Sequence, residues 1–210
     1  MKKHLVVFVR APQIGAVKSR LARDIGALSA WKFYRDTTRS LLRWARADRA
    51  WQTWLAVTPQ GFVDSPAWPR EILRIGQGGG DLGARMARPF VQLPPGPIVL
   101  VGSDIPDLRR AHIARAFTAL DSADVVLGPA QDGGFWLVGM RRRPRPPRQL
   151  VKNMFDGVHW STSHTLADVT KNLAGQARFA LTDMLDDVDT AVDLMRWRAR
   201  RPTNLIGRSG

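Results

Sequence analysis

The chain has 210 residues, a formal net charge of +14 at pH 7 and no cysteine. This length predicts a single domain spanning residues 1–210, and the lack of cysteine excludes a disulfide framework, a thiol nucleophile and a zinc–thiolate site. No apolar run approaches the roughly 20 residues needed to cross a bilayer, so we expect a cytoplasmic protein without a membrane span.

The basic charge is spread along the chain. Arginines occur on a predicted helix (Arg35, Arg39, Arg43 and Arg46), in segment 141–148 and in the C-terminal tail. Aromatic residues do not interleave with them in the way that proteins binding single-stranded nucleic acid require. We therefore predict a solvated basic surface and no nucleic-acid partner.

The first predicted strand, residues 4–9, leads into a loop at 10–20 that suits a nucleotide. Gly15 permits close approach of the backbone, and Lys18 and Arg20 place two cations just before the apolar Leu21. A strand followed by a flexible loop and cations can cradle phosphate, although this loop has neither the Walker A nor the G-x-G-x-x-G pattern. The alternative is a surface loop with solvated charges.

The next predicted elements are a helix at 29–47 and strands at 51–57 and 72–75. A glycine-rich segment, 76–86, follows, and Asp81 within it is a candidate N-cap for a helix running to about residue 93. A glycine loop at a helix N-terminus can pass close to a base, ribose or phosphate. The alternative is a flexible connector.

The apolar run from Pro97 to Val101 predicts a strand, spanning 97–104, that is buried on both faces. It places Asp104 and Asp107 at its carboxyl end, where ligands bind in open α/β sheets. A carboxylate there can hold a divalent metal that bridges phosphate oxygens. The alternative is that Asp104 caps a helix or closes a turn.

The second half predicts a helix at 110–120, strands at 123–128 and 135–138, and helices at 161–173 and 190–200. Asp132 precedes Gly133 in a turn dipeptide, so a hairpin turn is its simplest role. Segment 141–149, rich in arginine and proline, predicts an exposed loop. Acidic residues cluster between 183 and 189.

Six short motifs occur in order along the chain: Lys18-Ser19-Arg20-Leu21, Gly79-Gly80-Asp81-Leu82-Gly83, Gly102-Ser103-Asp104-Ile105-Pro106, Gly128-Pro129-Ala130-Gln131-Asp132-Gly133-Gly134, Trp160-Ser161-Thr162 and Asp187-Val188-Asp189-Thr190. Taken together, they resemble those of an uncharacterised bacterial family of GT-A-type, nucleotide-diphospho-sugar transferase-like proteins, and the resemblance covers residues 4 to about 195. The first and last motifs also resemble those of guanylyltransferases that build molybdenum and deazaflavin cofactors.

The resemblance implies a three-layer α/β/α sandwich with a mainly parallel sheet, of the GT-A type. It also implies a nucleotide held by the loops at 10–20 and 78–83. The predicted nucleotide-binding residues are Arg10, Ala11, Pro12, Gly15, Lys18, Arg20, Gly79, Gly80, Asp81 and Ser103.

The resemblance also implies that Asp104 stands where the family's metal-binding acidic residue stands, and that the metal is Mg²⁺ or Mn²⁺. GT-A enzymes often carry a D-x-D motif there, whereas this chain has Ser103-Asp104-Ile105-Pro106-Asp107. Asp189 is the second candidate metal ligand. Asp132 and Asp156 are candidate catalytic bases.

We therefore predict a metal-dependent glycosyltransferase that moves a sugar from a nucleoside diphosphate sugar to a small-molecule acceptor. The first alternative is a nucleotidyltransferase that joins a nucleoside triphosphate to a phosphorylated acceptor and releases pyrophosphate. The second is a non-catalytic basic binding protein on the same fold. The base, the sugar, the acceptor and the oligomeric state are left open.

Overall fold

The computed structural model describes residues 1–142 and 148–200. The elements are β1 (His4–Arg10), α1 (Ser19–Ile25), α2 (Ala27–Ala47), β2 (Gln52–Thr58), a 3₁₀ turn (Gln60–Phe62), β3 (Leu73–Gly76), α3 (Leu82–Gln92), β4 (Ile98–Gly102), α4 (Arg110–Ala119), β5 (Val125–Pro129), β6 (Phe135–Met140), α5 (Arg148–Met154), α6 (Thr165–Leu173), β7 (Phe179–Leu181) and α7 (Ala191–Ala199).

All seven of these strands form one sheet in the order β3-β2-β1-β4-β6-β5-β7. β6 runs antiparallel to its neighbours β4 and β5, and the other neighbouring pairs are parallel. The predicted mainly parallel sheet is confirmed. Its central strands are apolar runs because both faces of the sheet are covered.

Alternate residues of β1 divide between two cores. Leu5 and Val7 belong to a cluster with Leu41 of α2 and Phe117 of α4. Val6 belongs to the opposite cluster, which includes residues of α3, α5 and α6. Because successive side chains of a strand point to opposite faces, helices cover both sides, and the predicted three-layer sandwich is confirmed.

The strand order creates a switch point between β1 and β4. After β1 the chain moves outward through β2 and β3, and then returns to place β4 on the other side of β1. The carboxyl ends of parallel strands share one edge, and ligands bind where the order reverses. Segments that follow β1, β4 and β5 therefore meet at this edge.

The prediction of an exposed loop at 141–149 is wrong at both of its ends. Arg142 is only 1% exposed, and its guanidinium donates to the carbonyl oxygens of Phe90, Leu93 and Gly96. It thereby satisfies carbonyls at the end of α3, while burial lowers its pKa to about 10. Arg148 begins α5, which was not predicted; residues 143–147 lie outside the described part.

Two helix boundaries also differ from prediction. Residues 19 and 20, expected in the first loop, already belong to α1. Ser161, expected to begin a helix, has a backbone φ of 60°, and α6 begins at Thr165 instead. A non-glycine residue in the left-handed region interrupts right-handed helix geometry.

None of the helices in the described ranges has the length and apolar character needed to cross a membrane.

Tyr34 ties α2 to the switch point. Its hydroxyl accepts a hydrogen bond from the Arg10 backbone nitrogen at 2.8 Å and donates to the Arg10 carbonyl oxygen at 2.9 Å. The same oxygen lies 3.2 Å from Ser103 Oγ. One buried hydroxyl thus joins the ends of β1 and β4 to the helix.

We expect Tyr34→Phe to lower the free energy of unfolding by about 1–3 kcal/mol, because it leaves buried polar groups unpaired. Urea denaturation followed by circular dichroism measures this loss. Ser40→Ala removes an exposed hydroxyl from the same helix and should change the unfolding free energy by less than about 0.5 kcal/mol. Equal stability of the two variants would contradict the assigned role.

Candidate active site

Three carboxylates and one ammonium meet at the carboxyl edge of the sheet. Asp104 follows β4, whereas Asp187 and Asp189 precede α7, and carboxylate oxygens of all three lie within 4.8 Å of one another. Lys18 Nζ lies 2.6 Å from Asp104 Oδ2, 2.6 Å from Asp189 Oδ1 and 3.6 Å from Asp187 Oδ2. We call these three aspartates the carboxylate cluster.

Local sequence explains how the last two aspartates reach the cluster. Val188 is 2% exposed and packs with Leu21 and Leu194. Its neighbours Asp187 and Asp189 remain partly exposed. A capping box between Thr190 and Asp193 then starts α7 and holds this segment in place.

Lys18 is held in an unusual conformation at the start of α1. Its backbone is left-handed, with φ 50° and ψ 49°, a conformation that costs free energy in a non-glycine residue. Its side chain is only 4% exposed. Burial by itself lowers the pKa of Lys18, but Asp104, Asp189 and Asp187 raise it more, so the ammonium stays charged.

Asp187 has a pKa well above the ordinary value of an aspartate. Burial raises its pKa, the charges of Asp104, Asp189 and Asp132 raise it further, and Lys18 opposes them, so that its pKa is about 7. The protonated form of Asp187 is therefore favoured more than that of an ordinary aspartate.

The raised pKa of Asp187 predicts a pH dependence of stability. Between its ordinary pKa of 3.8 and about 7, the folded state binds more protons than the unfolded chain, so the unfolding free energy falls as pH rises. Asp187→Asn should flatten that fall in the metal-free protein, as measured by melting temperature from pH 4 to 8. Asp186→Asn, which removes the adjacent carboxylate, should leave the slope unchanged; equal flattening would contradict the assignment.

Removing the buried Lys18 ammonium tests whether it compensates the negative charges of the carboxylate cluster. We expect Lys18→Met to destabilise the metal-free protein by about 1–3 kcal/mol, because three carboxylates lose their charge-assisted partner. Added Mg²⁺ should then raise the melting temperature of this variant more than that of the wild type. A variant insensitive to Mg²⁺ would show that the carboxylates do not bind the ion.

The carboxylate cluster fits a divalent metal. Oxygen ligands of this kind suit Mg²⁺ and Mn²⁺, and three carboxylates outnumber the single buried ammonium. Arg20 is 62% exposed and its Nη1 lies 3.8 Å from Asp189 Oδ2, so it screens the cluster only from outside. Sequence reasoning proposed Asp104 and Asp189 and missed Asp187, although the acidic run at 183–189 pointed to it.

A cavity of about 330 Å³ lies on one side of the cluster, and we call it the Arg10 pocket. Arg10 and Arg85 line it and form no ion pair among the described residues. Burial, followed by repulsion from Arg10 and Arg88, lowers the pKa of Arg85. The other residues that line it include Tyr34, Thr58, Gln77, Leu82, Met86, Ser103, Asp104 and Trp136. Two unpaired cations make this pocket suited to an anion.

Gln77, which the predictions did not include, shapes the Arg10 pocket. It is 2% exposed, and its Nε2 donates to the carbonyl oxygens of Ala56 and Val9 at 2.8 and 3.2 Å. Its Oε1 accepts a hydrogen bond from Arg85. Gln77 therefore anchors the glycine-rich loop to β1 and β2 and orients an arginine.

A second cavity, of about 210 Å³, shares Asp104 with the Arg10 pocket. We call it the Trp160 pocket. Its polar lining residues are Asp104, Asp132, Ser161, Thr162, Thr165 and Asp187, and its apolar ones include Leu82, Met86, Phe135, Trp136 and Trp160. No lysine, arginine or histidine of the described ranges lines it.

A third cavity, of about 310 Å³, shares Asp132 and Asp187 with the Trp160 pocket. We call it the Asp186 pocket. Three arginines contribute to its walls, namely Arg20, Arg196 and Arg200, together with Asp186, Asp189 and Asp193. The Trp160 pocket thus adjoins both of the others, and each of the three includes at least one aspartate of the carboxylate cluster.

The largest cavity among those described here, about 690 Å³, lies between α2 and segment 66–71. Its walls carry the arginines of the predicted basic helix, with Glu71 as their one acidic neighbour in that lining. It shares no lining residue with the other three pockets, and it lacks a carboxylate cluster. Size alone therefore does not make it the candidate site.

The predicted nucleotide-binding residues do not lie together in the structure. Arg10 and Ser103 line the Arg10 pocket, Lys18 lies in the carboxylate cluster, and Arg20 lines the Asp186 pocket. The others line none of these three pockets: Ala11 is buried, Pro12 borders the large arginine-lined cavity, and Gly15, Gly79, Gly80 and Asp81 are exposed.

Asp81 has a structural role that the sequence predicted. Its Oδ1 accepts a hydrogen bond from the Ala84 backbone nitrogen at 2.8 Å and caps α3. The two predicted catalytic bases also differ in placement. Asp132 borders both the Trp160 and Asp186 pockets, whereas Asp156 is exposed in the turn after α5 and lines none of the cavities described here.

The sequence pattern of a bacterial family, described as "Uncharacterized protein conserved in bacteria (DUF2064)", matches residues 41–162, more than half of the chain. The chain belongs to the DUF2064 family. In this DUF2064 protein the matched range includes Asp104 and Trp160, whereas Lys18 and Asp189 lie outside it. The comparison with curated proteins gave no match.

Among solved structures, the DUF2064 chain is similar to a candidate nucleotide-diphospho-sugar transferase from Desulfovibrio desulfuricans G20. The two are 28% identical with a TM-score of 0.83, over 97% of this chain and 90% of the other. The architecture of this DUF2064 protein is therefore that of a nucleotide-diphospho-sugar transferase fold.

Two more distant similarities show the fold alone. A CMP:2-keto-3-deoxy-manno-octonic acid synthetase in complex with CTP is 12% identical, with a TM-score of 0.56 over 95% of this chain and 98% of that one. Rv0371c of Mycobacterium tuberculosis H37Rv, in complex with manganese, is 16% identical, with a TM-score of 0.54 over 96% of this chain and all of that one.

Proposed function

We propose that this DUF2064 protein is a metal-dependent glycosyltransferase that moves a sugar from a nucleoside diphosphate sugar to a small-molecule acceptor. The broader class, a transferase that uses a nucleotide, is supported by its structural neighbours. One observation carries the narrower proposal: at Asp104, a pocket with two unpaired arginines adjoins a carboxylate cluster. The 28% identical neighbour supports the choice of donor.

The Arg10 pocket would receive the nucleotide. A diphosphate carries concentrated negative charge, and Arg10 and Arg85 are the unpaired cations that line this cavity. A pocket with cationic walls attracts and orients such an anion. Ser103 and the Arg10 backbone, both fixed by Tyr34, would set the depth of binding.

The carboxylate cluster would hold the metal, with Asp104, Asp187 and Asp189 as ligands. When bound, Mg²⁺ or Mn²⁺ stabilises the negative charge that develops on a diphosphate leaving group. The Lys18 ammonium pairs with the same three aspartates. It would therefore also lie close to the leaving diphosphate and add to that stabilisation. A manganese complex of a protein with this fold is consistent with the choice of metal.

Asp132 is the candidate base, because it borders the cavities on the acceptor side of the cluster. Its carboxylate would take the proton of an acceptor hydroxyl. The acceptor oxygen would then bond to the anomeric carbon as the bond to the diphosphate oxygen breaks, and the nucleoside diphosphate leaves. Asp156 has no part in this proposal.

The second candidate is the nucleotidyltransferase, and one observation favours it. Arg20, Arg196 and Arg200 line the Asp186 pocket, where they could bind the phosphate of a phosphorylated acceptor. In that reaction the acceptor phosphate attacks the α-phosphorus of a nucleoside triphosphate, and pyrophosphate leaves.

A thermal-shift screen distinguishes these functions. Nucleoside diphosphate sugars and nucleoside triphosphates are each tested with and without Mg²⁺ or Mn²⁺. A ligand at about 100 times its Kd adds about 2.7 kcal/mol of stability. We expect one diphosphate sugar to raise the melting temperature in a metal-dependent manner. Selective stabilisation by a triphosphate would favour nucleotidyl transfer, and no metal-dependent shift would contradict both.

The same screen tests the metal ligand. Asp104→Asn should abolish the metal-dependent shift and the release of nucleoside diphosphate while leaving the circular dichroism spectrum unchanged. Asp107→Asn is the matched control, because Asp107 lies in the same turn but pairs with Trp197 and Arg200. This control should keep the metal-dependent shift. Full activity of Asp104→Asn would refute the assignment.

A further inference from the structure

We infer that the acceptor of this enzyme is an uncharged, hydroxylated molecule with an apolar face, bound in the Trp160 pocket. This inference rests on the proposed function, because it assigns the acceptor side of the same site. The proposed function leaves the chemistry of the acceptor open. We expect the Trp160 pocket to accept uncharged molecules and to exclude phosphorylated ones.

The charged residues that line the Trp160 pocket disfavour a phosphorylated ligand. Asp104, Asp132 and Asp187 all line the Trp160 pocket, and no cationic side chain of the described ranges does. Lys18, outside this lining, already pairs with Asp104 and Asp187, whereas Asp132 forms no ion pair among the described residues. A phosphate entering the cavity would therefore meet at least one uncompensated carboxylate, and like charges at close range repel strongly when partly desolvated. Even with a divalent ion on the cluster, Asp132 would stay uncompensated. An uncharged acceptor meets no such penalty.

The apolar wall is the second argument. The Trp160 ring packs against the rings of Phe135 and Phe155, with centroid distances of 6.3 and 5.9 Å. Gly83 makes room for it, because a Cβ at that position would lie 2.7 Å from Trp160 Cζ2. Aromatic side chains fixed in this way present a rigid surface to an apolar ligand face.

Ser161 supplies the third argument. Its backbone is left-handed, with a φ of 60°, and strain of this kind concentrates at ligand sites. Its side chain is exposed and lines the pocket, and its hydroxyl forms no hydrogen bond with any described residue. The neighbouring Thr162 and Thr165 hydroxyls instead donate to the His159 carbonyl oxygen. Ser161 is thus free to bind a substrate hydroxyl.

Size limits what enters. The cavity of about 210 Å³ is smaller than the roughly 300–1,000 Å³ typical of pockets for drug-sized ligands. It suits a small molecule of about one ring, or the reacting end of a longer one. Asp132 lines the same cavity, so it would receive the proton as the acceptor hydroxyl attacks the donor.

The test compares matched neutral and phosphorylated probes on the full chain with Mg²⁺. Phenyl glucoside, which has an apolar ring, is the main neutral probe, and phenyl phosphate is its charged counterpart. Glycerol and glycerol 3-phosphate, which lack an apolar face, form a second pair that tests the effect of charge alone. Saturation-transfer NMR measures binding without needing the sugar donor. We expect at least one neutral probe to bind, and the phosphorylated probes to bind more weakly or not at all.

Two serine variants test whether the neutral probe binds in the Trp160 pocket. Ser161→Ala should weaken the neutral probe about two- to tenfold, the effect of one lost hydrogen bond. Ser163→Ala, a nearby exposed serine outside the pocket, should leave it unchanged. Binding of the phosphorylated probes alone, weakened by Arg196→Gln in the Asp186 pocket, would overturn the inference. So would the failure of both neutral probes, or equal effects of the two serine variants.

The two proposals fail in different ways. A metal-dependent nucleotide shift without binding of a neutral probe would remove the acceptor assignment and leave the glycosyltransferase intact. Binding of a neutral probe that depends on Ser161, without any nucleotide shift, would remove the proposed reaction and leave the pocket as a site for uncharged hydroxylated ligands.

Discussion

The ion pair between the Lys18 ammonium and three carboxylates is the interaction on which the candidate site depends. It joins the loop after β1, the turn after β4 and the segment before α7. Carboxylates placed so close together repel one another unless a cation compensates them. A buried lysine meets that need in the protein alone, and a divalent ion would meet it when bound. Each of the three pockets has at least one of these aspartates in its wall.

Sheet topology decides which side chains surround that interaction. Strand β6, which runs antiparallel to its neighbours, follows a turn at the carboxyl edge of β5. This turn carries Asp132, and Phe135 begins the next strand beside it. A parallel crossover would have placed the start of that strand at the opposite edge of the sheet. The antiparallel pair therefore brings Asp132 and Phe135, which are close together in sequence, into the wall of one cavity, the Trp160 pocket.

The pockets around the cluster differ in the charges of the side chains that line them. Unpaired arginines line the Arg10 pocket, whereas carboxylates, hydroxyls and aromatic rings line the Trp160 pocket. A net charge of +14 reveals nothing of this division, because most arginines in the described part of the chain are exposed or line the large cavity beside α2. What matters for binding is the charge that faces each cavity, since interactions with solvated charges are screened.

Local pattern determined much of this protein, namely the buried strand before Asp104, the cap at Asp81 and the basic face of α2, whereas the mainly parallel sheet was implied by the family resemblance. The first three features depend on neighbours in sequence, so periodicity and end signals reveal them. Tertiary structure decided the rest. Lys18 was expected at phosphate but lies among carboxylates, Asp187 joined them through the burial of Val188, and Arg142 became buried because carbonyls at the end of α3 lacked donors. Such contacts join residues up to 171 positions apart, a separation at which local pattern carries no signal.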